Sequence, residues 1–231
     1  MAGDNYYLVS ALPSLPALGS VPPLSLAALF EHVSASARAR ALVEAVLLGD
    51  DLLQRDAALA GESREVEPVV LTSAQVRDDE PLPPHLARGE NEQATRIASD
   101  AVWEAYFHHA AAVARQSGSG FLAAWVGHEV ALRNALAGAR AKALDLDPDD
   151  YLVAPELGDA DEDVTALLRE WAEAENPLEG LRTLDAARWQ WLTEHDAWFS
   201  FGDDELAVYA ARLMLLARWH RLSHAPAEEP G

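Results

Sequence analysis

Residues 121–144, FLAAWVGHEVALRNALAGARAKAL, constrain the fold more than any other stretch of this chain. Phe121, Trp125, Leu132 and Leu136 recur at the spacing of a buried helical stripe, and Ala139 extends it. Beside that stripe runs a second row, Glu129 and Arg133, with Arg140 two turns further on. Glu129 precedes Arg133 by one helical turn, the favourable order for an intrahelical ion pair worth about 0.2–0.5 kcal/mol. Asn134 sits in mid-helix, where Asn is a weak helix former and turns toward a group it can hydrogen-bond. A helix with one apolar face and one row of fixed-geometry donors needs helical neighbours, and we expect it to be the hub of a helical domain.

The rest of the chain reads the same way. Ala and Leu are prominent while Val, Ile and Thr are sparse, which predicts an all-α fold. A chain of 231 residues is long enough to bury a core, and seven Trp supply large anchors for it. The expected architecture is a single helical domain over 1–231, a multi-helix bundle of antiparallel hairpins with a short extended N-terminal segment. The formal net charge is −21, which disfavours phosphate backbones and anionic lipid surfaces as partners. A basic protein partner fits such a surface, as does simple solvation. The absence of cysteine excludes disulfides, thiolate metal sites and a Cys nucleophile. The first residues carry Asp4 and no early Lys or Arg, unlike a secretory signal. An uncharged run over 5–30 is broken by Pro13, Pro16, Pro22 and Pro23, so no spanning helix is expected there. The sequence therefore predicts a cytoplasmic protein with no nucleic-acid partner and no direct membrane insertion.

Residues 5–12, NYYLVSAL, are β-prone and read as extended. Ser25 is placed to cap a helix beginning SLAALFEHV, with a break near 34–36. A second helix over 36–60 carries Ala39, Leu42, Val43, Val46 and Leu47 on one side, and Gly61 marks its stop. The acidic, proline-bearing stretch over 62–92 reads as a long connection with one helical turn near 85–88, and as the most protease-sensitive internal segment. Helix resumes over 92–116, and SGSG at 117–120 reverses the chain into the 121–144 helix as an antiparallel hairpin. Asp163 is expected to cap a helix to about 175 with Val164, Leu167, Leu168 and Trp171 on one face. NPLEG reads as a turn, 184–199 as an aromatic-rich helix, and Asp203 or Asp204 as the cap of a last helix. The tail, 224–231, is expected to be frayed.

Three constellations could carry chemistry. Asp145, Asp147, Asp149, Leu152 and Glu156 match positions of a calcium loop, but the turn glycine is replaced by Asp150 and Pro148 intrudes. Glu104, His108 and His109 could face His128 and Glu129 across the hairpin. However, the Glu-x-x-His spacing of a two-metal bundle is missing, and helix-surface or pocket histidines are the better reading. No G-x-S-x-G, P-loop or GxGxxG appears. The residues themselves point to no catalytic residue, no metal site and no cofactor.

Two segments resemble a known group. YYLVSALPSLP with VPPLSLAALFEH, and the later LDAARWQWLTEHDAWFSFGDDELAVYAARLMLLARWHRL, are similar to a bacterial family of unassigned function encoded alongside V-type (V/A-type) ATPases. Leu184, Arg188, Trp189, Leu192, Phe201, Tyr209, Leu213, Arg218 and Trp219 carry that match. Between them, HEVALRNALAGARAKALDLD resembles the C subunit of V-type ATPases, the counterpart of the d subunit in eukaryotic enzymes, through Glu129, Leu132, Arg133, Asn134 and Arg140. The resemblance implies a non-catalytic component of the central stalk of a proton- or sodium-translocating ATPase, similar to that C subunit. Its implied partners are the other ATPase subunits, the shaft and the membrane ring, which would hold it at the cytoplasmic face. Glu129, Arg133, Asn134, Arg140, Trp189, Tyr209, Arg218 and Trp219 would then be structural or interface residues. The alternative is a helical-bundle enzyme or ligand-binding protein using the region of His108, His109 and His128.

Overall fold

Capping side chains, those of Ser25, Ser36, Thr72, Ser119 and Asn176, start five of the helices. The computed structural model describes residues 5–62, 65–87 and 98–224, and among them every regular element is helical. After one turn, α1 (Tyr6–Ser10), a proline-bearing loop leads to α2 (Leu26–His32), capped by the Ser25 hydroxyl accepting the Ala28 N–H. A 3-10 turn at Val33–Ala35 breaks the path, and Ser36 caps α3 (Ala37–Leu59). The short α4 (Ser73–Val76) is held by a capping box between Thr72 and Gln75. Then come α5 (Ala98–Ser117), α6 (Gly120–Ala143), α7 (Thr165–Ala172), α8 (Pro177–Glu194) and α9 (Asp203–His224).

The reversal between α5 and α6 is the expected hairpin. Gly118 takes φ +64°, a backbone that glycine adopts without strain, and Ser119 accepts the Leu122 N–H to start α6. The same Ser119 hydroxyl donates to Asp204, whose carboxylate also accepts the Phe121 N–H. One residue of α9 therefore pins the first turn of α6.

The α6 stripe is buried at Phe121, Trp125, Leu132 and Leu136, but α6 is a wall of the core rather than its hub. The most extensive helix–helix packing is between α3 and α9, with α5 also against α3 and α6 against both α5 and α9. Leu42, Leu47 and Leu52 of α3 and Leu206, Leu213 and Leu215 of α9 are fully buried there. Each contributes about 1.5–3 kcal/mol of apolar burial, which is why these two helices set the centre. A smaller apolar cluster joins Leu132 and Leu136 to Leu184, with Val164, Leu167, Leu168 and Trp171 packed on it. The face expected of α7 is therefore the one that docks the α7–α8 pair onto the second half of α6.

Three boundaries differ from expectation. Residues 6–10 are helical rather than extended, because no strand exists among the described residues to pair with them and Asn5 and Tyr7 carbonyls accept i+4 N–H groups instead. The NPLEG stretch is not a turn but the start of α8, where Asn176 accepts the Glu179 N–H and Pro177 fills the first position, whose N–H is unpaired in any helix. That helix then ends at Glu194 instead of 199, and α7 begins at Thr165, with Asp163 accepting the Thr165 N–H from outside the helix.

The connection after α3 is anchored over much of its described length. The Asp51 carboxylate accepts the N–H groups of Val69, Val70 and Leu71 at 2.7–3.2 Å. Gln54 bonds both the N–H and the carbonyl of Glu67, and Arg55 reaches the Gln75 carbonyl and the Asp78 carboxylate. A turn closes at Leu86 through the Pro83 carbonyl. Arg88, the expected helix start at Glu92 and the tail beyond His224 lie outside the described residues.

Candidate functional site

Charged side chains from α3, α6, α8 and α9 meet inside the bundle. Arg188 forks onto Glu129, with Nε 2.7 Å from Oε1 and Nη2 3.1 Å from Oε2. Its Nη1 lies 3.3 Å from Asp185, which also accepts from Arg218 Nη1 at 3.2 Å. Arg218 Nε is 3.7 Å from Asp50, and Arg221 donates to both Asp50 oxygens at 2.7 and 2.8 Å. Three guanidinium groups thus face three carboxylates, so the network is neutral as a unit. It is not saturated: Asp185 Oδ2 and Arg218 Nε are buried with no hydrogen-bond partner.

Burial works to raise the Glu129 carboxyl, but the Arg188 charge and its two hydrogen bonds overcome this and hold it below its ordinary range. Burial likewise disfavours the Arg188 cation, and Glu129 and Asp185 together outweigh it, so Arg188 holds its proton more firmly than a free guanidinium. Beside them Tyr106 is buried, its hydroxyl donating to the Ala45 carbonyl at 3.1 Å, and burial pushes its phenol well up. A Cβ on Gly49 would come within 2.9 Å of that hydroxyl, so the close approach of α3 and α5 requires glycine there.

This network forms one wall of a cavity of about 370 Å³ between α3, α5, α6 and α9. Glu129, Arg133, Arg140 and Arg218 all line it, together with Arg188 and Asp100. The expected Glu129–Arg133 pair is not formed. Glu129 turns inward to Arg188, a bidentate partner, while Arg133 pairs with Asp100 of α5 at 3.1 Å and lies 4.6 Å over the Trp103 ring. Arg140 lies 5.2 Å over Trp171. Asn134 does find a partner, accepting the Val153 N–H at 2.8 Å and donating to the Val153 carbonyl at 2.9 Å.

The other residues singled out in the sequence lie elsewhere. Trp189 carries the Arg212 guanidinium over its ring at 4.6 Å, Tyr209 donates to the Pro13 carbonyl at 2.8 Å, and Trp219 sits under Arg182 at 5.7 Å. The histidines face separate partners. His108 is 3.2 Å from Glu156, His109 stacks on His85 at 4.2 Å, and His128 bonds Glu162 and stacks on Trp191 at 4.7 Å. Burial and the neighbouring His85 hold the His109 pKa below its ordinary value. Among the described residues no group of three or more His, Asp or Glu is arranged to hold a metal ion. Asp147 of the calcium-like stretch instead accepts the Asp149 N–H to start a 3-10 turn at Pro148–Tyr151.

Arg133→Ala should lower stability by about 1–2 kcal/mol, since it unpairs the largely buried Asp100 and uncovers Trp103. The exposed Arg169→Ala should change it by no more than about 0.5 kcal/mol. Equal melting midpoints for the two would remove any structural role for Arg133.

A second feature is not legible as a site in the sequence. The connection between α8 and α9 exposes Trp198 (59%) and Phe199 (79%), and α1 exposes Tyr6 (51%) and Tyr7 (85%). Asn5 donates to Asp203 at 2.7 Å and the Tyr6 ring lies 5.0 Å from Phe201, so α1 packs beside the connection between α8 and α9. Phe199 and Phe201 both take left-handed backbone, at φ +60° and +50°, which costs a non-glycine residue about 1–2 kcal/mol. Glu205 clamps that shape by accepting the Phe199 and Phe201 N–H groups and the Ser200 hydroxyl.

No curated protein and no solved structure matches the chain. A family model does match residues 70–230, from the approach to α4 through the end of α9, and the chain belongs to the family it describes, a protein of unknown function (DUF2764).

Proposed function

We propose that this protein is a non-catalytic structural, coupling or assembly component of a V-type (V/A-type) proton- or sodium-translocating ATPase, with a central-stalk role like that of the C or d subunit. The observation that carries the reading is the exposed rings of Tyr6 and Tyr7 on α1 and of Trp198 and Phe199 beside it in the chain's α8–α9 connection, whose left-handed backbone Glu205 holds. Strained backbone is retained at functional sites, and contiguous exposed apolar surface marks places of interaction with a partner. The residues that carry the resemblance support it differently. Glu129, Arg133 and Asn134 are tied to partners within the chain, as scaffold residues would be. The partners are then the shaft and the membrane ring, and the protein sits at the cytoplasmic face through them. Among the described residues no helix is long and apolar enough to cross a membrane itself. A bundle enzyme built on His108, His109 and His128 draws no support, because each faces a different neighbour.

The test is co-purification. A tagged full chain, recovered from detergent-solubilised membranes of its native host, should bring ATPase subunits with it, identified by mass spectrometry. The variant Tyr7→Ser with Phe199→Asn, in which Asn tolerates the left-handed backbone, should lose them by about tenfold or more, a change of at least about 1.4 kcal/mol in binding. Its melting temperature should stay within about 2 °C of the parent. Recovery of no ATPase subunits, or recovery unaffected by the variant, contradicts the proposal.

A further inference from the structure

We infer that the cavity between α3, α5, α6 and α9 binds a small organic monoanion with an apolar or aromatic body. Its volume, about 370 Å³, falls in the range of small-molecule sites. Trp103, Tyr106, Phe107, Trp125 and Met214 supply a largely apolar, aromatic lining.

The charges at the lining decide the class of ligand. Arg188 and Arg218 are neutralised within the buried network by Glu129, Asp185 and Asp50. Arg133 is paired with Asp100 through one nitrogen only. Among the described residues Arg140 is in no ion pair and lies over the Trp171 ring. The exposed Arg140 thus stands at the rim of an aromatic cavity with its guanidinium in no ion pair among the described residues.

Arg133 and Arg140 are seven residues apart on α6, two turns along one face, or about 10 Å between their backbones. Both belong to the polar row read from the sequence. A planar guanidinium matches a carboxylate or sulfonate through paired N–H bonds, whereas a neutral ligand of the same shape gains only the apolar contacts. A cation would meet the surplus positive charge and be disfavoured. The inference stands apart from the proposed ATPase role, which rests on the exposed rings of α1 and of the α8–α9 connection.

Two probes of similar shape test it on the full chain: 8-anilinonaphthalene-1-sulfonate and the neutral N-phenyl-1-naphthylamine, titrated by fluorescence with stoichiometry from calorimetry. The sulfonate should bind one site per chain, about tenfold or more tighter than the neutral probe. Arg140→Gln should remove that preference, weakening the sulfonate by about tenfold while the neutral probe changes less than about twofold. Ala137→Trp, and independently Leu53→Trp from the α3 wall, should obstruct both probes. The Tyr7→Ser, Phe199→Asn variant should bind both as the parent does, which separates this site from the exposed rings. Absence of saturable binding overturns the inference. So does a preference that survives Arg140→Gln, or binding that survives both obstructing variants when they melt as the parent does.

Discussion

Glu129→Ala is expected to cost about 3–5 kcal/mol at pH 7, the penalty of breaking a buried ion pair from one side. Arg188 would lose both hydrogen bonds of its fork and keep only Asp185, itself shared with Arg218. Three guanidinium groups, of which those of Arg188 and Arg218 are largely enclosed, would then face two carboxylates, Asp185 and Asp50. An exposed pair such as Arg40 with Glu44, 3.9 Å apart, should cost no more than about 1 kcal/mol when broken. Urea denaturation of the parent and the variant measures the difference. A loss below about 1 kcal/mol would mean that the four helices are not held by this network. The pH dependence has a fixed sign. The Glu129 pKa is lowered on folding from an ordinary 4.5, so its contribution is present above that value and lost as pH falls through the folded one. The Ala variant should lack that share of the acid limb.

Asp51→Ala is the second large effect, at about 3 kcal/mol. It strips the acceptor from three consecutive backbone N–H groups, of which Leu71 is buried, and each orphaned group costs about 1–3 kcal/mol unless the segment moves out to water. Release of 65–71 to water in the variant would hold the cost to the lower end of that sum, and the release itself is the signature. Limited proteolysis should cut within 65–71 in the variant well before it does so in the parent. Unchanged stability together with unchanged cleavage would contradict the anchoring role. Burial raises the Asp51 carboxyl to about 6 against the pull of the Leu71, Val69 and Val70 N–H groups. A raised folded value means its stabilising share is complete below an ordinary 3.8 and lost as pH rises through about 6. Asp51→Asn, which does not titrate, should therefore flatten the stability profile between about pH 4 and 6.

These two residues show what is legible in the sequence and what is not. The α6 helix, its buried stripe and the Gly118–Ser119 reversal follow from spacing and capping, which act within a few residues. The inward turn of Glu129 does not, because its partner Arg188 is 59 positions away and a bidentate fork wins over a single turn of the same helix. Asp50 and Asp51 do carry a signal: LLGDDLL places two acids inside an apolar helical run, where a carboxylate survives only with partners. The N-terminal turn at 6–10 escapes a propensity reading because β-propensity reports a fit to a sheet, and no sheet is present among the described residues to receive it. The aromatic surface is invisible for a similar reason, since Tyr6 and Phe201 meet only after the whole bundle has closed.

Photo-crosslinking tests the central claim most directly. A benzophenone amino acid placed at Tyr7, 85% exposed, in the native host should crosslink to the stalk or membrane ring of a V-type ATPase on irradiation. The same group at the exposed Glu170 of α7 serves as the comparison. Adducts to ATPase subunits from Tyr7 and not from Glu170 are the predicted result. Adducts from neither position, or from Tyr7 only to proteins outside the ATPase, would contradict the proposed role.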